Sequence, residues 1–242
     1  MTLLFVISSS LSGCIGESEE SNSIELNVAY SSLQGTVSMS YVDGQLIASE
    51  PVEFRFDFSE TKSKNKLTQY GLSSPTLSND ISINADENNI ISFEIYDHGI
   101  HTIEFYAIDS EDFTQTKSID VKVELEILWV EENSSNPKPL NIDPKPSNEG
   151  QSPKYVKVES TVENPRRITE IGGGQSVQFT WKLIDELDDT CQSNSAVVDD
   201  GDSLTWDTIY FNTVLIHDLV VQYDDGQDRI NIEHKVNIFY ED

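Results

Sequence analysis

The sequence has few cysteines and few basic residues, and each shortage excludes a class of protein. Only two cysteines, Cys14 and Cys191, occur among 242 residues, so a framework of disulfide bonds is not the basis of the fold. The 15 Lys and Arg residues stand against 43 Asp and Glu residues, which gives a formal charge of -28. Such a surface repels phosphate groups, and we therefore expect no nucleic-acid partner. Beyond the N-terminal segment, no apolar run is long enough to span a bilayer.

Long stretches of helix-forming residues are also missing, and short alternating runs take their place. Apolar residues recur at every second position in residues 52–58, 119–127 and 177–183, and also in residues 230–240, where His234 is the one interruption. A period of two is typical of a β-strand with one buried and one solvated face. Asp43-Gly44, between two apolar pairs, indicates a hairpin turn. The predicted fold class is therefore all-β.

Proline marks the organisation of the chain. Five of the eight prolines lie in residues 131–153. Because proline removes an amide donor and favours an extended chain, this segment is predicted to be a semi-rigid linker outside the sheets. It divides the chain into a first module at residues 24–130 and a second module at residues 154–242.

The N-terminal segment has the pattern expected of an export signal. Residues 1–14 have an apolar core followed by small residues and then Leu11-Ser12-Gly13-Cys14, which resembles the lipobox of prokaryotic lipoproteins. The resemblance implies a signal peptide at residues 1–14, lipidation of Cys14 and anchoring at the extracellular face of the cell envelope. Residues 15–23 are polar and acidic and are expected to be a flexible spacer. No Lys or Arg precedes the apolar core, and the alternative is a buried first strand that contains a cysteine.

Three runs of the first module begin at Val52, Gly99 and Ser118. They resemble strands of the PKD-type domain, an immunoglobulin-like β-sandwich of prokaryotic surface proteins, and the resemblance covers roughly residues 51–127. The tryptophan and the Gly-Asp signature of that family are missing, and the second module matches more weakly, with Trp181 as its expected core tryptophan. The resemblance implies two immunoglobulin-like sandwiches in tandem, joined by the Pro-rich linker. Members of such families act as spacers, adhesion modules or units that bind carbohydrate or protein.

Aspartate clusters in the second module indicate possible cation sites. The clusters are Asp185, Asp188 and Asp189; Asp199, Asp200 and Asp202; and Asp224, Asp225 and Asp228. Loops at the end of a sandwich can converge, and calcium binds several carboxylate and carbonyl oxygens. The second and third clusters are therefore the candidate calcium ligands, although neither has EF-hand spacing. The alternative is that they are solvated turns, and no other cofactor is expected.

Histidine and cysteine offer few chemical sites. His98 and His101 are close in sequence, and a metal site there would take Asp97 as a third ligand. The alternative is a turn with exposed imidazoles. His234 lies on the inward parity of the last strand, which favours a structural role. Cys191 is expected to be a free thiol that could be buried. The acids around it raise its pKa, which disfavours the thiolate that a nucleophile requires.

The sequence predicts a binding protein, not an enzyme. No motif for a hydrolase nucleophile, a zinc protease or a nucleotide is present, so no catalytic residue is assigned. Asn133-Ser134-Ser135 is a sequon, which makes Asn133 a candidate glycosylation site. We expect a surface lipoprotein that acts in adhesion, spacing or ligand binding. Its partners would be the membrane, through the lipid, and an extracellular protein or polysaccharide. The alternatives are an accessory subunit of an envelope enzyme or transporter complex, and a calcium-dependent adhesion module.

Overall fold

The all-β fold class is confirmed by a computed structural model, which describes residues 23–75, 77, 79–166, 174–226 and 229–240. In these ranges no helix is long and apolar enough to cross a membrane. The strands are β1 (Ile24–Glu25), β2 (Ala29–Tyr30), β3 (Gln34–Val42), β4 (Gln45–Glu50), β5 (Val52–Asp57), β6 (Lys62–Ser63), β7 (Leu67–Ser73), β8 (Ile81–Asn84), β9 (Ile90–Ile95), β10 (Gly99–Asp109), β11 (Thr114–Ser134), β12 (Leu140–Ile142), β13 (Tyr155–Glu163), β14 (Val177–Asp185), β15 (Thr190–Val198), β16 (Ser203–Tyr210), β17 (His217–Gly226) and β18 (Ile230–Phe239).

The strands form one large sheet and three smaller ones. The large sheet has the order β16-β13-β18-β11-β10-β7-β8, and β3 and β4 join it beside β11. A four-stranded sheet has the order β12-β17-β14-β15, and a three-stranded sheet has the order β2-β5-β9. A two-stranded sheet pairs β1 with β6, and its Ile24 packs in the larger hydrophobic core. The alternating runs explain this arrangement, because each presents one apolar face to an opposing sheet.

The hairpin predicted at Asp43-Gly44 is confirmed. The φ angles of Asp43 and Gly44 are 49° and 80°, so both residues are in the left-handed region that a tight two-residue hairpin turn requires. The pair Val42 and Gln45 closes the hairpin between β3 and β4.

Strand β11 is unusually long and connects the two halves of the chain. Its residues pair with β10 as far as Val123, with β3 in parallel from Lys122 to Val130, and with β18 from Leu125 to Ser134. The alternation seen at residues 119–127 continues through the buried Trp129 and Glu131. The same strand therefore contributes to the sheet of both halves.

The extension of β11 to Ser134 corrects part of the predicted linker. Residues 131–134 belong to β11 and residues 140–142 form β12, so these parts of the segment 131–153 lie in sheets and not outside them. The physical reason is the spacing of the prolines. Pro139 and Pro144 flank β12 without interrupting it, so its amide groups remain free to pair with β17. The division into modules at 24–130 and 154–242 stays a prediction.

The larger hydrophobic core draws on both halves. It contains Phe56, Phe58 and Phe105 from the first half, all fully buried, and also Val158 and Ile238 from the second half. The ring centroids of Phe56 and Phe105 are 4.7 Å apart. Burial of each such ring contributes about 1.5–3 kcal/mol to the free energy of unfolding. A second core is centred on Phe179 and Trp181.

Trp181 lies in the core, as predicted, and is part of a buried polar network. Its indole N–H donates to Ser160 Oγ at 2.7 Å, and Ser160 Oγ is 2.8 Å from His234 Nδ1. All three residues are at most 1% exposed. The arrangement in which the Ser160 hydroxyl donates to a neutral imidazole satisfies all three groups. His234 is therefore a structural histidine.

Candidate functional site

The main candidate site is a groove where the two halves of the chain meet, called the junction groove below. It has a volume of about 310 Å³. It lies near the stretch of β11 where β18 replaces β10 along one edge while β3 pairs with the other edge, and the segment 141–147 contributes to its lining. Its lining is Met39, Tyr41, Asp97, His98, Leu125, Ile127, Asn141, Asp143, Lys145 and Ser147.

The floor of the junction groove is apolar. Leu125 and Ile127 of β11 are buried, whereas Met39 and Tyr41 of β3 are half-buried. The parallel register places Tyr41 beside Trp129, and the two rings stack with centroids 5.6 Å apart at an interplanar angle of 29°. The period of two in both strands thus brings these side chains onto one face of the sheet.

One wall of the groove comes from the turn between β9 and β10, which carries His98. His98 is 9% exposed, and its Nδ1 is 2.8 Å from the Tyr240 hydroxyl. In the described part of the chain, its other nitrogen, Nε2, has no hydrogen-bond partner. Burial lowers the pKa of His98, although Asp143 and Asp97 oppose that shift. The imidazole is therefore neutral at pH 7 and presents one unpaired nitrogen in the groove.

A close contact holds this turn in place. Gly99 has a φ angle of 148°, and a Cβ atom there would lie 3.3 Å from Asn148 and Pro146. The Asn148 side-chain amide donates to the carbonyl of Ile100 at 2.9 Å. Glycine is favoured here because L side chains rarely adopt this φ angle and because Asn148 and Pro146 would crowd a Cβ atom.

His101 stabilises the turn between β9 and β10. Its Nε2–H donates to the Asp97 carbonyl at 3.0 Å, while its Nδ1 is buried without a partner in the described residues. Burial lowers its pKa as well. The expectation of exposed imidazoles at His98 and His101 is wrong, because the turn packs under Tyr240 and the Pro-rich segment. No group of three metal ligands that includes Asp97 is found among the described residues.

A second wall comes from the Pro-rich segment, which packs beside the turn. Asn141, Asp143, Lys145 and Ser147 are exposed, and they alternate with the buried residues at 142, 144 and 146. The Lys145 amide donates to Asp143 Oδ1 at 3.0 Å, which forms a turn around Pro144. The Asn141 side-chain amide donates to Asp218 Oδ1 at 2.9 Å, across the pair of β12 and β17. Sequence reasoning missed this wall, although the period of two between polar residues and prolines was its signal.

The predicted calcium ligands lie at the far end of the second half. Asp199 accepts a hydrogen bond from Ser176 Oγ at 2.9 Å, and Asp224 accepts one from Thr180 Oγ1 at 2.8 Å. Asp225 accepts from the amide of Gly226, and the backbone carbonyl of Asp202 accepts from the amide of Asn164 at 3.0 Å. Asp228 lies outside the described residues, and among those described no group of three acids could hold a metal. Calcium binding at Asp199, Asp200, Asp202, Asp224, Asp225 and Asp228 stays a prediction.

The remaining candidate residues are single side chains. Asn133 is exposed with a φ angle of 52°, so its side chain is open to modification, and its glycosylation stays a prediction. Cys191 is a free thiol, as expected, and it is exposed and not buried. Partial burial and the hydrogen bond to Asp185 raise its pKa, which lowers its reactivity. Cys14 lies outside the described residues.

Comparisons with known proteins show only distant structural similarity. No family model matches, and no curated protein matches. One solved structure, from a study of promiscuous carbohydrate-binding modules of the β-sandwich superfamily, has a TM-score of 0.33 at 8% identity, over 90% of this chain and 98% of its own. The Bacteroides uniformis β-glucuronidase has a TM-score of 0.29 at 7% identity, and the match covers 90% of this chain but 30% of the glucuronidase. A third structure is the SGBP-B protein of a Bacteroides ovatus mixed-linkage glucan utilization locus, solved with a heptasaccharide. It has a TM-score of 0.25 at 10% identity, and the match covers 84% of this chain and 51% of SGBP-B.

Proposed function

We propose that the chain is a non-enzymatic binding protein of the cell envelope whose junction groove holds a sugar unit of an extracellular polysaccharide. The observation that supports this is the combination, in one groove of about 310 Å³, of an apolar floor and polar walls. A pyranose ring also combines apolar and polar surfaces, because its faces carry C–H groups and its edge carries hydroxyls. Small-ligand sites usually combine apolar lining with a few convergent polar groups.

The contacts expected for a sugar follow from the lining. The ring face would lie on the floor near Tyr41, where its C–H groups meet apolar and aromatic surface. The hydroxyls would donate to the exposed carboxylates of Asp97 and Asp143, and one would reach Nε2 of His98. A charged acceptor forms a stronger hydrogen bond with a hydroxyl than a neutral one does, so the two aspartates would orient the ligand.

Anchoring through Cys14 is the second part of the proposal. The lipobox pattern at residues 11–14 supports it, and the acidic residues 15–23 would then separate the sheets from the membrane. An anchored protein with a lateral groove can retain a polysaccharide at the cell surface without chemical change. The acidic surface, with a formal charge of -28, would keep such proteins apart.

Substitution of Asp143 tests the binding proposal. The Asp143→Asn variant keeps an oxygen for the Lys145 amide, so the turn is retained, but it removes the charge that faces the groove. We expect sugar affinity to fall about tenfold, as for loss of one charged hydrogen bond. Isothermal titration calorimetry with polysaccharides that bind the unmodified protein measures this change. The matched control is Asp207→Asn, an exposed aspartate on β16 remote from the groove. Equal affinities of the two variants would contradict the proposal.

A further inference from the structure

We infer that the ligand of the junction groove carries a positively charged amine, and that its class is an amino sugar with a free amino group. This inference rests on the proposed function and adds the chemical class of the ligand. It depends on three properties of the groove, which are the balance of charges, the balance of donors and acceptors, and the unpaired nitrogen of His98.

The charges that face the groove are not balanced. Asp97 and Asp143 are exposed and both line the groove, and neither forms an ion pair with Lys or Arg in the described part of the chain. Lys145 is the cation of the lining, but its Nζ is 3.5 Å from Glu186 Oε1 and is therefore partly neutralised. A groove with this charge attracts a cation and repels a carboxylated or sulfated sugar.

The hydrogen-bonding groups of the walls are mainly acceptors. The side-chain amide of Asn141 already donates one N–H to Asp218, which leaves its carbonyl oxygen and one N–H available to a ligand. One carboxylate oxygen of Asp143 accepts a hydrogen bond from the Lys145 amide, and the other oxygen remains available to a ligand. An ammonium group supplies three donors and no acceptor, so it matches such walls better than a hydroxyl does.

His98 supplies an independent observation that points to a ligand. The side chain is nine-tenths buried and lines the groove, yet its Nε2 has no partner among the described residues. Its Nδ1 is fixed by the Tyr240 hydroxyl, which can act as donor or acceptor. When Nδ1–H donates to the Tyr240 oxygen, the neutral imidazole can accept a hydrogen bond from a ligand at Nε2, which is open to the groove.

A matched pair of ligands tests the inference on the full chain. We would measure affinity by calorimetry, near neutral pH and at low salt, for an oligosaccharide of glucosamine and for the same oligosaccharide after N-acetylation. Acetylation keeps the ring and removes the charge, so we expect it to weaken binding by about tenfold or more. A neutral glucose oligomer and a uronic acid oligomer complete the series, and the uronic acid is expected to bind weakest.

The variants Asp97→Asn and Asp143→Asn should each reduce the preference for the amine, whereas the control Asp207→Asn should leave it unchanged. Added salt should reduce it too, because screening weakens a charge pair near the surface. If neutral and amine-bearing oligomers bind equally and Asp143→Asn still weakens both, this inference is overturned while the proposed function stands. If no oligomer binds, or if the groove variants bind as the control does, both are overturned.

Discussion

Acidification should destabilise the fold mainly through His234. The imidazole is 1% exposed, and burial lowers its pKa from 6.5 to about 3. In the unfolded chain the same group would take up a proton as the pH falls below 6.5. Because the folded pKa is the lower one, the stabilising contribution is present above pH 6.5 and is lost as the pH falls from 6.5 towards 3.

The size of this effect follows from the two pKa values. Each pKa unit of difference corresponds to about 1.4 kcal/mol, so a fall from pH 8 to pH 5 should cost about 2 kcal/mol of unfolding free energy from His234 alone. Burial also lowers the pKa of the other three histidines, His98, His101 and His217, which acts in the same direction. The loss measured for the whole protein should therefore be at least this large.

Urea unfolding at pH 8, 6.5 and 5 measures the loss. The variant His234→Asn removes the titrating group and keeps an acceptor for the Ser160 hydroxyl, so its pH dependence should be shallower by about 2 kcal/mol between pH 8 and pH 5. The ring resonances of His234 in NMR spectra should not titrate above pH 5. Equal pH dependence of the two proteins, or titration of His234 near pH 6.5, would refute the reasoning.

Three further predictions concern the network, the acidic turns and the anchor. Ser160→Ala leaves the indole of Trp181 and the imidazole of His234 without a partner, so urea unfolding should show a loss of about 2–4 kcal/mol; a loss below 0.5 kcal/mol would contradict the network. If the predicted calcium site exists, thermal melting should rise with added calcium and fall with a chelator, and an unchanged melting temperature counts against it. Metabolic labelling with a fatty-acid or isoprenoid analogue should mark the unmodified protein but not Cys14→Ser, and a labelled variant would disprove anchoring at that residue.

The strands were predictable from local sequence wherever one face is buried. Residues 52–58 and 177–183 alternate without interruption, and they form β5 and β14 with Phe54, Phe56 and Trp181 inward. This works because the side-chain period of a strand is two, so a local pattern decides which face is apolar. The hairpin at Asp43-Gly44 was predictable for a similar local reason, since few residues tolerate its backbone angles.

Pairing between distant strands was not predictable in this way. The parallel contact of β3 with β11 joins residues about ninety positions apart, and neither strand carries a local sign of its partner. The junction groove depends on that contact, and so its lining could not be assembled from sequence. Burial of His98 and His101 was missed for the same reason, because the covering groups, Tyr240 and Asn148, come from far along the chain.

The continuity of β11 affects how a ligand would be received. A hinge between the halves would have to break ladder hydrogen bonds on both sides of the strand, since β3 and β18 flank the same stretch from Leu125 to Val130. The floor of the groove is therefore fixed when the chain folds. If the groove binds a sugar as proposed, little conformational entropy of the floor is lost on binding, and a substitution that tilts β11 at a distance should change the affinity without contacting the ligand.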